Sequence, residues 1–129
     1  MPEKMKRYIL ALDDDSDTRE LLIEMLAGHG YEVRTARNGI DGLKMFNIGK
    51  YDLIISDIDM PLMNGIEFYK ELIKNVPFMR DRIIFIADNI EYKTKRFIKE
   101  EGVRYILKPL TIVEFISTVN DIIGIAPSA

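Results

Sequence analysis

The sequence contains no cysteine, which excludes disulfides and thiolate metal sites and fits a reducing compartment. It holds one histidine, His29, set between Gly28 and Gly30. That setting reads as a helix-ending loop rather than a phosphoryl carrier or a metal ligand. No apolar run is long enough to cross a bilayer. Met1–Arg7 is short and basic, but the apolar segment after it is broken by Asp13, too soon for a signal-peptide core. Net charge is only −3, so no surplus of cations marks the domain as a binder of nucleic acid or of an anionic membrane. Repeats, linkers and low-complexity stretches are also missing. What remains is a cytoplasmic globular protein. Its 129 residues, 47% hydrophobic and 30% charged, suffice for one domain with a real core. That domain is expected over residues 1–124, with a short C-terminal tail at 125–129.

The chain alternates short apolar runs with segments of helical spacing. Tyr8–Leu12 reads as a buried strand, and Leu21, Leu22, Met25 and Leu26 recur as a helix face closed by Gly28 and Gly30. Tyr31–Ala36 alternates as a strand, Asn38-Gly39 turns, and Ile40, Leu43 and Phe46 supply a second helix face. Asp52–Ser56 is a third strand, followed by a helix with Ile66, Tyr69, Leu72 and Ile73 inward, stopped near Pro77. Ile83–Ile86 is a fourth strand. Glu91–Glu101 is a Lys-rich helix with Phe97 and Ile98 inward, ended by Gly102. Val103–Leu107 is a fifth strand, and Phe115, Ile116, Val119, Ile122 and Ile123 form a last helix face. Strict βα alternation implies an α/β fold: a doubly wound, five-stranded parallel sheet with helices on both faces. The flavodoxin-like strand order 2-1-3-4-5 is expected for this size, and it sets strands 1 and 3 side by side.

The stretch LIISDIDMPLMNG, Leu53–Gly65, organises the chemistry. A buried apolar strand stops abruptly at Asp57, and a carboxylate there is costly unless it reacts or binds a cation. The expected strand order brings Asp13 and Asp14, after strand 1, into the same crevice, with Lys108, after strand 5, opposite. Converging carboxylates repel and stay ionised only beside a cation. An all-oxygen site with few protein ligands suits Mg²⁺, and a lysine opposite suits a phosphoryl oxygen. Together these are the parts for phosphoryl transfer to a carboxylate, with Asp57 the best-placed nucleophile. Each part has an ordinary alternative when taken singly. An Asp-rich run ahead of a helix usually caps it, and Asp15, Ser16 and Asp17 are assigned only that role.

The segments ILALDDDSDTREL, GYEV, ARNGIDGL, YDLIISDIDMPLMNG and YILKPLT resemble a response-regulator receiver domain (CheY-like) of two-component signalling, along essentially the whole chain. The DxxMPxxxG and KP motifs, ordered after an early acid pair, make the resemblance specific. It implies that Asp57 is phosphorylated by a sensor histidine kinase or phosphotransfer protein, and that the chain is a phosphoacceptor rather than a turnover enzyme. It implies Mg²⁺ held by Asp14, Asp57 and the backbone carbonyl of Asp59, with Asp13 behind them, and Lys108 paired with the carboxylate and then the phosphoryl group. It also implies an output protein on the surface of helix 4, strand 5 and helix 5, where Tyr105 matches the family's switch aromatic. Helix 4 carries Lys93, Lys95, Arg96 and Lys99, a charged face that is ordinarily just solvated and is expected here as a contact for an acidic partner. No direct contact with nucleic acid or membrane is expected.

The sequence departs from this family at Ala87. Receivers carry Thr or Ser there, whose hydroxyl binds the phosphoryl group. Ala87 has none, Asp88 follows, and the span from Ala87 to Lys108 is one residue shorter than the family's. The expectation is phosphorylation at Asp57 with a weakened or altered switch. The alternatives are a phosphate-independent interaction module of the same fold and, from the Asp57-x-Asp59 pair, a DxD-type phosphatase. In such phosphatases the DxD strand normally comes first, whereas here it comes third. A flavin-binding protein is set aside, because acids stand where its phosphate loop would be.

Overall fold

The computed structural model describes residues 6–124. The expected tail at 125–129 and the first residues of the basic N-terminus lie outside the described residues. Eleven elements run in the order β1 (Arg7–Leu12), α1 (Ser16–Ala27), β2 (Tyr31–Ala36), α2 (Gly39–Asn47), β3 (Leu53–Asp57), α3 (Gly65–Asn75), a 3₁₀ turn (Pro77–Arg82), β4 (Ile83–Ala87), α4 (Tyr92–Glu101), β5 (Arg104–Leu107) and α5 (Ile112–Ile123). The five strands form one parallel sheet in the order β2-β1-β3-β4-β5. The doubly wound fold expected from the alternation is the fold observed.

Continuous apolar runs work here because the central strands are covered on both faces. Side chains alternate across a strand, so Ile9 and Ala11 of β1 face one core while Leu10 and Leu12 face the other. The first core is closed by Leu22 and Leu26 of α1 and by Phe115 and Val119 of α5. The second is closed by Phe68, Tyr69 and Leu72 of α3 and Ile98 of α4. Fully burying a side chain of this size contributes about 1.5–3 kcal/mol, so the buried apolar residues of β1, β3 and β4 and of the helices packed on them all add to the stability.

Caps set the helix starts. Asp15 caps α1 by accepting from the Thr18 N–H, Asn38 caps α2 through the Asp41 N–H, and Asn64 and Glu67 form a reciprocal capping box at α3. His29 is exposed, with Nδ1 2.9 Å from the Met25 carbonyl, as suits a helix-ending residue.

Three details differ from the sequence reading. Leu21 and Ile40, expected inward, are 44% and 39% exposed. The packed face of α2 instead uses Gly42, where a Cβ would collide with Leu12 and meet Phe68 at 3.1 Å. The 3₁₀ turn at Pro77–Arg82 was not expected, and it buries Met79 completely.

Candidate functional site

The pairing of β1 with β3 fixes the site. Leu12 lies opposite Ser56, so the next residues along, Asp13 and Asp57, end adjacent strands at the same level. β4 extends this edge, with Ile86 paired to Asp57. Ala87 is paired to Leu107, and the Lys108 N–H donates to the Ala87 carbonyl at 2.8 Å. Four loops therefore open into one crevice of about 410 Å³, lined by Asp13, Asp14, Asp57, Asp59, Asp88 and Lys108, with Asp15 and Thr18 on its rim.

Asp13 is fully buried and held on every side. Its N–H donates to the Ala36 carbonyl at 3.1 Å, and its own carbonyl accepts from Arg19 Nη1 at 2.8 Å. Its carboxylate accepts from the Asp15 N–H at 2.9 Å and from Lys108 Nζ at 3.1 Å. Asp57 is 6% exposed; its Oδ1 accepts from the Ile58 N–H at 3.0 Å and lies 3.6 Å from Lys108 Nζ. Oxygens of Asp13, Asp14 and Asp57 all lie within 4.8 Å of one another, with Asp14 exposed to solvent.

Gly65 completes the local geometry. A Cβ there would collide with the Asp57 carbonyl and meet Ile58 Cα at 3.0 Å, and the Gly65 N–H donates to the Ile58 carbonyl at 2.8 Å. The glycine closing the DxxMPxxxG motif is thus required by close backbone approach. Leu62, between motif positions, holds φ 68, the left-handed conformation that non-glycine residues adopt rarely.

Burial pushes the Asp57 carboxyl up to about 7; the Asp13 charge adds to this, Lys108 opposes it, and Asp14 raises it further. Burial works against the Lys108 ammonium, but the hydrogen bond to Asp13 and the charges of Asp57, Asp13 and Asp88 outweigh it and raise its pKa above the ordinary lysine value. The crevice thus holds more negative charge than Lys108 balances. Its donors are hard carboxylate oxygens, the set that fits Mg²⁺ or a similar dication.

The structure brings Asp13, Asp14, Asp57 and Lys108 into one crevice and adds Asp59 and Asp88 to its lining. Ala87 ends β4 at 1% exposure, and the α4–β5 connection is only Gly102-Val103. Tyr105 lies outside the crevice, on edge strand β5, 36% exposed with the Lys95 ammonium 5.9 Å from its ring centroid. The sequence reading missed Thr18 on the rim and Arg19 behind Asp13. Thr18 had a signal, three residues after the capping Asp15; Arg19 had none, because its partner is a carbonyl.

Residues 9–120 match the family model described as the response regulator receiver domain. Protein PilH of Pseudomonas aeruginosa is 30% identical over 117 residues, which cover 90% of this chain and 97% of that protein. Two further curated relatives are longer, and the chain spans 32% and 54% of them. Chemotaxis protein CheY4 of Vibrio cholerae superposes with a TM-score of 0.82 at 28% identity, covering 92% of this chain and 99% of that one. Response regulator protein TrrA of Thermotoga maritima, solved in complex with Mg²⁺ and BeF, gives a TM-score of 0.79 at 35% identity, covering 90% of this chain and 98% of that one. Parallel order, acidic crevice and family match agree: the chain belongs to the response regulator receiver domains, the CheY-like signalling modules of two-component systems.

Proposed function

We propose that this receiver accepts a phosphoryl group on Asp57 from a sensor histidine kinase or phosphotransfer protein, in the cytoplasm. The observation that carries the reading is the convergence of Asp57 with two further carboxylates and one lysine at the end of the central strand. An Asp57 oxygen attacks phosphorus; the new P–O bond forms as the donor's P–N bond breaks, and the electron pair leaves on the donor imidazole, which takes up a proton from solvent. Mg²⁺ held by Asp14, Asp57 and the Asp59 carbonyl, with Asp13 behind them, would offset the charge of the transferring oxygens. Lys108 already bridges Asp13 and Asp57, and it follows the charge onto the phosphoryl group. Ionisation of Asp57 is the first requirement, and each cation beside it favours that.

The response to phosphate is altered. Ala87 offers no hydroxyl to the phosphoryl group, and a hydrogen bond to a charged partner typically contributes about 1.5–3 kcal/mol. Less differential binding gives a less complete shift between two states. Asp88, on the crevice wall, adds repulsion toward a dianion. The output face is formed by α4, β5 and α5, which expose Tyr92, Tyr105, Leu107, Ile112 and Val113 beside the α4 cations. No described helix is long and apolar enough to cross a membrane. The test of the acceptor is incubation with Mg²⁺ and phosphoramidate: a hydroxylamine-labile phosphate is expected, and a label that survives Asp57→Asn at full level would overturn it.

A further inference from the structure

The charge of the β2 edge is opposite to that of the acidic crevice. A concavity of about 450 Å³ lies between α1, the end of β2 and α2; Arg19, Arg37 and Lys44 surround it, with one acid, Asp41, over Thr35 and Met45. That volume is within the range of small-ligand sites. Asp41 is engaged elsewhere: it sits in the first turn of α2, where its charge answers the helix dipole, 3.3 Å from Asn38 Nδ2. Among the described residues, Arg19, Arg37 and Lys44 form no ion pair. Arg19 spends one nitrogen on the Asp13 carbonyl, which orients its guanidinium and leaves further donors free. A second concavity of about 280 Å³ shares Met45 and adds Arg34 and Lys50, so the basic character continues along the edge.

In a chain of net charge −3, three cations gathered around one hollow repel one another, and a bound anion relieves that repulsion. We infer that the hollow bounded by Arg19, Arg37 and Lys44 is a second binding site, for a small phosphate or phosphate-ester anion carrying at least two negative charges. Guanidinium forks match phosphate oxygens in geometry, and Thr35 supplies a hydroxyl. The volume of the hollow, in the range of small-ligand sites, favours a small ligand over an acidic protein segment. Without a divalent cation the crevice acids repel the same anion, which separates binding here from phosphoryl transfer at Asp57.

The test is titration of the ¹⁵N-labelled full chain with inorganic pyrophosphate, without divalent metal. Saturable shifts are expected at the Thr35, Ala36, Arg37 and Lys44 amides. Affinity should fall about tenfold or more in Arg37→Gln/Lys44→Gln, because neither side chain then offers a charged donor to the anion. It should hold in Lys93→Gln/Lys95→Gln, an equal change of charge on α4. Diffuse, unsaturable shifts at lysines over the whole surface overturn the inference, as does an Arg37→Gln/Lys44→Gln variant that binds like wild type. Saturation of these amides by a glutamate octapeptide but not by pyrophosphate also overturns it, in favour of an acidic protein partner.

Discussion

Lys108 is held more closely by Asp13 than by Asp57: its ammonium lies 3.1 Å from Asp13 Oδ2 and 3.6 Å from Asp57 Oδ1. The lysine is therefore anchored on Asp13 and reaches Asp57, the proposed phosphoacceptor, from that anchor. Asp13 is fully buried, so removing its counter-charge leaves an uncompensated carboxylate in the interior. We predict that Lys108→Ala lowers the melting temperature in metal-free buffer at pH 8, by a free energy on the order of 1–3 kcal/mol, and slows phosphorylation. A variant melting like wild type would show that the bridge contributes nothing to stability.

The Asp57 carboxyl, pushed up to about 7 from an ordinary 3.8, makes stability depend on pH. A raised acid holds its proton more tightly in the folded chain than in the unfolded one. Its contribution is fully present below the unfolded value, falls as pH rises between the two, and is lost above the folded value. Asp57→Asn removes this dependence. We predict that Asp57→Asn and wild type melt alike near pH 4, and that the variant is the more stable at pH 8, by a few kcal/mol on the order of the shift. Parallel melting curves across that range would contradict the burial-driven shift.

Asp14 tests the metal assignment. It is exposed and adds to the repulsion on Asp57. Asp14→Asn is expected to raise the melting temperature without metal and to abolish the gain that Mg²⁺ gives wild type. If the variant gains as much from Mg²⁺ as wild type does, Asp14 is not a ligand.

Ala87 tests the switch. Wild type bound to beryllofluoride and Mg²⁺ should show an incomplete change in the NMR signals of β4 and Tyr105, and Ala87→Thr should enlarge it. A full change in wild type, to which threonine adds nothing, would show that the missing hydroxyl is immaterial.

The parts of this molecule that follow from local pattern were legible in the sequence. Apolar runs gave the three central strands because burial on both faces needs unbroken hydrophobic residues, and strict alternation with helices then fixed a parallel sheet. The expected strand order was enough to place Asp13, Asp14, Asp57 and Lys108 in one crevice. Leu21 and Ile40 misled because helical spacing does not say which apolar residues of a wide stripe turn inward; Gly42 packs against Leu12 and Phe68 by having no side chain. The 3₁₀ turn is too short to show a period, and Met79 is buried by what folds over it. Arg19 was invisible for a different reason: a carbonyl partner leaves no complementary residue to find. The basic hollow at the β2 edge joins α1, β2 and α2, three segments whose charges look scattered along the chain.

Phosphorylation of Asp57, assisted by its neighbours, can be read out in one experiment. Intact mass after incubation with phosphoramidate and Mg²⁺ tests this most directly, on wild type, Asp57→Asn and Lys108→Ala. One phosphoryl group is expected on wild type, none on Asp57→Asn, less on Lys108→Ala, and none on wild type when Mg²⁺ is chelated. Equal addition to wild type and Asp57→Asn would contradict phosphorylation at Asp57.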